Sequence, residues 1–90
     1  MLTFMKKDKS IHDPRYRALI NALADERKRL NISQLELADK IGLHQSDISK
    51  IELFERRLDV LEFSDFLEVY RVKDNLKLHE LVNSFFGLNH

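Results

Sequence analysis

Cysteine is absent from this 90-residue chain, which excludes disulfide scaffolds, cysteine-ligated zinc and thiol nucleophiles together. There is one proline and there are two glycines, too few for the turn-rich strands of an all-β sandwich. No apolar run is longer than three residues, as at Ala18-Leu19-Ile20, so neither a membrane span nor the apolar stretch of a signal peptide is in view. Charge of one sign is lacking too: 15 Lys and Arg meet 15 Asp and Glu. That balance argues against a nonspecific coat on nucleic acid but leaves room for a specific reader with a local basic face. What is there is a chain 43% hydrophobic and 33% charged, too apolar for disorder and long enough for a single core. The expectation is a soluble, cytoplasmic, all-α domain.

The charges are unevenly spread. Residues 1–30 carry eight basic side chains against four acidic, residues 31–60 four against six, and residues 61–90 three against five. Met1 to Ser10 mix charged and isolated apolar residues without a period, so residues 1–12 are expected to form a flexible N-terminal arm. Asp13-Pro14 then reads as a helix start, with Asp as cap and Pro at the first helical position. Tyr16, Leu19, Ile20, Leu23 and Leu30 supply the inward stripe behind it, and Asn31 the stop.

Ser33-Gln34-Leu35-Glu36 is a capping-box pattern that opens a second, short helix, with Ile32 and Leu37 spaced as a hydrophobic staple. Gly42 can take the left-handed conformation that ends it. Ile48 and Ile51 resume the helical period after only Leu43 and His44. Asp59 with Glu62 repeats the capping box before Phe63, Phe66, Leu67 and Tyr70. A fifth helix from about Leu76 to Phe86 carries Leu78, Leu81, Val82 and Phe85 on one face, suited to packing on the fourth helix, with Gly87 as terminator. Five short helices and no strand are therefore expected.

Two helices joined by a glycine-containing turn, the first short and capped, make a helix-turn-helix. From Ile32 the chain reads Ile-Ser-Gln-Leu-Glu-Leu-Ala-Asp-Lys-Ile-Gly-Leu-His-Gln-Ser-Asp-Ile-Ser-Lys-Ile-Glu. This resembles the lambda-repressor-like (Cro/repressor, XRE-type) DNA-binding domains, in register over about residues 14–74. Ala38 is small where two helices would cross closely. Ile48 and Ile51 would hold the third helix to the core and leave Gln45, Ser46, Ser49 and Lys50 facing outward. Gln pairs bidentately with adenine and Ser is adaptable, so a helix end bearing both suits major-groove reading.

The resemblance implies base contacts from Gln45, Ser46 and Lys50, with Ser49 beside them. It implies phosphate contacts from Gln34, at a helix N-terminus aimed at the backbone, and from Arg56 and Arg57. The plain alternatives are that Gln45, Ser46 and Lys50 are simply solvated, and that the two arginines are a solvated pair or help to terminate the third helix. The resemblance also places Arg27 and Glu52 together as a structural ion pair.

Several residues depart from the family pattern. His44 stands where Ser or Thr commonly caps the third helix; either a cap worth on the order of 1 kcal/mol is lost, or the imidazole reaches a phosphate. Asp47 either stabilises the first turn through the helix dipole or accepts from a cytosine amino group. Phe54 replaces a usual glycine, and Leu35 is apolar where the family is polar.

The histidines at 12, 44, 79 and 90 share no one-turn metal spacing. No phosphate loop or nucleophile–base pair is visible. Neither a metal, a cofactor nor an enzyme activity is therefore expected. The implied function is a sequence-specific transcriptional regulator, a repressor binding double-stranded DNA at a pseudo-palindromic operator as a homodimer. The rival reading is a protein-binding module such as an antitoxin holding its toxin. The organisation expected is an arm over residues 1–12, a DNA-binding domain over 13–74 and a C-terminal helix over 75–90. Leu81, Phe85, Phe86 and Leu88 of that helix are the expected dimer contact, with core closure over the first helix as the alternative.

Overall fold

In the computed structural model, which describes residues 11–87 apart from the side chain of Lys73, Asp13 caps α1 (Pro14–Arg29) by accepting the Arg15 backbone N–H at 2.8 Å. Among the described residues four further helices follow: α2 (Gln34–Ile41), α3 (Gln45–Glu52), α4 (Val60–Val69) and α5 (Leu76–Phe85), with a short 3₁₀ turn at Val72–Asp74 before the last. Among the described residues there is no strand. The expected arm lies outside the described residues except for Ile11 and His12, as does Leu88.

Both capping boxes form. Ser33 Oγ accepts the Glu36 N–H at 3.0 Å while Glu36 Oε1 accepts the Ser33 N–H at 2.9 Å. Asp59 and Glu62 do the same at 2.8 and 3.1 Å. Each satisfies two amides that a helix start otherwise leaves without partners.

Every described α-helix ends on a residue with positive φ: Asn31 at 61°, Gly42 at 75°, Phe54 at 63°, Arg71 at 58° and Gly87 at 69°. After α1 the Ile32 and Asn31 amides donate to the Arg27 and Lys28 carbonyls. After α3 the Glu55 and Phe54 amides donate to the Lys50 and Ile51 carbonyls. Both are Schellman closures. Phe54 thus holds the conformation of the glycine it replaces. Its ring packs on the core, and the Arg17 guanidinium lies 4.5 Å from the ring centroid.

Leu19, Ile20, Leu23, Leu37, Ala38, Ile48, Ile51, Phe66, Tyr70 and Leu78 form one buried cluster to which all five helices contribute. Ala38 is fully buried, as its place in the α2–α3 crossing requires. Helix α5 lies chiefly against α1, not against α4 as its apolar spacing suggests; α4 is reached through the Phe63 and Phe86 rings, 6.3 Å apart. The cause is polar. Asn75 caps α5 by accepting the Leu78 N–H at 3.1 Å, and its amide nitrogen donates to Glu26 of α1 and to the Tyr70 carbonyl. Glu26 is 3% exposed, and Arg29 holds its carboxyl below the usual glutamate range. These bonds tie the start of α5 to α1 while Leu78 beside them enters the core.

Candidate nucleic-acid interface

The Arg27–Glu52 pair sits beneath the helix-turn-helix. Arg27 Nε and Nη2 donate to the two Glu52 oxygens at 2.8 and 3.0 Å, and Nη1 donates to the Ile32 carbonyl at 2.8 Å. The side chains are 9% and 12% exposed. This joins the end of α1 to the end of α3 and to the chain entering α2. The carboxylate beside it raises the Arg27 pKa further, against the effect of burial.

From Glu52 the hydrogen bonds run outward. Gln34 Nε2 donates to Glu52 Oε1 at 2.9 Å, and Gln45 Nε2 donates to Gln34 Oε1 at 2.8 Å. A carboxylate only accepts, so Gln34 must turn its nitrogen inward and its oxygen toward Gln45. Gln45 is then left with its own oxygen and one N–H pointing outward, the donor–acceptor pair that matches the adenine edge. In sequence Gln34 and Gln45 have separate roles; their contact is a feature of the tertiary structure. The available signal was a glutamine at the first position of each of two consecutive helices.

Ser46 and Lys50 are exposed and Ser49 is half-buried, on the side of α3 opposite Ile48 and Ile51. His44 is the N-cap residue of α3, but its imidazole makes no capping bond. Asp47 serves instead from inside the helix: its Oδ2 accepts the His44 N–H at 3.0 Å, and Oδ1 lies 3.9 Å from Arg56 Nε. Of the two roles considered for Asp47, the helix-stabilising one is the one its contacts serve. Leu35, beside Gln34, is 57% exposed.

Arg56 is engaged within the chain. Its two terminal nitrogens donate to the Glu62 oxygens at 2.9 and 2.7 Å, and one also reaches the Arg57 carbonyl at 3.3 Å. Arg56 thereby lowers the Glu62 pKa and braces the α3–α4 loop against the first turn of α4. A phosphate would have to compete with Glu62 for this guanidinium. Arg57 next to it is exposed.

At the end of α5, Phe85 is 36% and Phe86 54% exposed, their rings edge to face at 5.0 Å. Leu81 is half-buried beside them and Leu78 wholly buried. The apolar face of α5 therefore divides, with its start closing the core over α1 and its end facing outward. No described helix is long and apolar enough to cross a membrane.

A family model described as helix-turn-helix matches residues 23–75, more than half of the chain. No curated protein matches.

Proposed function

Because the chain belongs to the XRE-type, lambda-repressor-like helix-turn-helix family of DNA-binding transcription regulators, we propose that it is a sequence-specific repressor acting on a pseudo-palindromic operator as a homodimer. The observation that carries this reading is the outward amide of Gln45, held by Gln34 at the exposed end of α3. Gln45, Ser46, Ser49 and Lys50 contact bases, while Gln34, His44 and Arg57 contact phosphates. Arg56 supports the loop from behind.

Two α3 helices must enter successive major grooves about 34 Å apart, and one domain of this size covers too little DNA for high specificity alone. Leu81, Phe85, Phe86 and Leu88 supply the dimer contact, of which Leu88 lies outside the described residues. The alternative, a protein-binding module such as an antitoxin, draws on Val60 and Leu61 of α4, 77% and 75% exposed.

Binding to a selected duplex should be salt-sensitive, with a slope of log K on log salt of about −5 to −7 if a dimer meets roughly six to eight phosphates. Gln45→Ala should relax base preference, whereas Arg57→Ala should weaken all sequences alike and make the slope shallower. Equal affinity for every duplex, or no salt dependence, sinks the proposal. The Phe85→Ser, Phe86→Lys double variant should remain folded, sediment as a monomer and lose operator affinity. A full-length chain that is already monomeric at tens of micromolar removes the homodimer.

A further inference from the structure

Leu53 follows α3 at its C-cap with φ −93° and ψ 5°, so the helical path extends one residue past Glu52. Positions 46, 49, 50 and 53 are spaced i, i+3, i+4 and i+7 and make one stripe along the helix. Three are the polar residues Ser46, Ser49 and Lys50. The fourth is a leucine 61% exposed, while Ile48 and Ile51 on the opposite side are 0% and 1% exposed.

A single exposed leucine is unremarkable in itself, but this one occupies a fixed place on the outward stripe. The Schellman closure directly behind it, with the Glu55 N–H on the Lys50 carbonyl at 2.8 Å, holds its backbone. The other large exposed apolar side chains, Leu35, Val60, Leu61, Leu76, Phe85 and Phe86, belong to other helices or their ends. Along its own stripe the neighbours of Leu53 are the polar Ser46, Ser49 and Lys50.

The major groove offers one apolar group on its base edges, the C5-methyl of thymine. Seven residues of helix rise by about 10 Å, roughly three base-pair steps. We propose that Leu53 reads the methyl group of a thymine about three base pairs from the base pair met by Ser46. This rests on the DNA-reading role of α3 proposed above and adds a specificity-determining residue to it.

The test uses the full-length chain and duplexes selected from a random-sequence library. Each thymine of the selected site is replaced in turn by deoxyuridine, which removes the methyl and keeps every hydrogen-bonding group. At one position per half-site the wild type should lose affinity by about fourfold, the worth of one buried methyl. The same replacement should leave Leu53→Ala and Leu53→Asn unaffected, and both variants should melt like the wild type.

A selected site at which no thymine shows methyl dependence overturns the inference about Leu53 alone. So does methyl dependence that persists at full size in both variants. A selection that returns no preferred sequence removes the DNA-reading proposal itself, and Leu53 with it.

Discussion

Gln45 is the last link of a chain that starts at the buried guanidinium of Arg27 and passes through Glu52 and Gln34. Each link constrains the next because Arg only donates, carboxylate only accepts, and an amide must reverse its polarity to satisfy both sides. The stability of the pair and the orientation of the reading helix therefore share one cause. Removing either Arg27 or Glu52 alone leaves a nearly buried charge without its partner. Arg27→Ala and Glu52→Ala should each cost roughly 3 kcal/mol, and the double variant much less than the sum. Denaturant melts of the full cycle measure this, and additive losses would refute the coupling. Glu52→Gln probes the outer links, because an amide there no longer dictates which end of Gln34 faces Gln45.

At the scale of elements, the helix ends carry the most distinctive feature. Asn31 tolerates the left-handed region, whereas Phe54 and Arg71 enter it at a cost of roughly 1–2 kcal/mol each. The two are compensated differently. Arg71 is exposed, with a surface ion pair to Asp74 at 2.8 Å, worth at most about 1 kcal/mol. Phe54 packs on the core beneath the Arg17 guanidinium. Arg71→Gly should therefore stabilise the chain by up to about 1 kcal/mol. Phe54→Gly relieves the same strain but loses the ring, and should destabilise by about 1 kcal/mol net. Paired urea melts decide the matter: equal signs for the two variants would refute the argument that packing fixes Phe54.

Across the whole molecule, two carboxylates tie elements together, Glu26 over 49 positions and Glu62 over six. Glu26 joins α1 to the start of α5, and Glu62 joins α4 to the α3–α4 loop. Arg29 and Arg56 respectively hold their pKa values below the usual 4.5. A carboxyl depressed in the folded state contributes stability above its unfolded pKa and loses it as pH falls through the lower folded value. Thermal stability should thus be level from neutrality down to about pH 5 and decline below 4.5. Glu62→Gln should cost about 1–2 kcal/mol at neutral pH and flatten the acid limb. A variant as acid-sensitive as the wild type would show that the Glu62 pair does not contribute to it.

The elements and the starts of the helices were legible in the sequence because they are set by interactions within a few residues. The capping boxes at Ser33–Glu36 and Asp59–Glu62, the Asp13-Pro14 start and the Gly42 turn each operate across one helical turn, where spacing and residue type suffice. The Arg27–Glu52 contact was suggested by resemblance, since its partners lie 25 positions apart. Left-handed Phe54 and Arg71 were not legible, because neither residue type favours that region and only the surrounding packing holds them there. The same is true of Gln45 on Gln34, Arg56 on Glu62, the Tyr16 hydroxyl accepting the Leu58 amide at 3.0 Å, and Glu26 on Asn75 across 49 positions. That last bond ties the start of α5 to α1. Helical period told which side chains turn inward; only the crossing of the helices decided which polar groups meet.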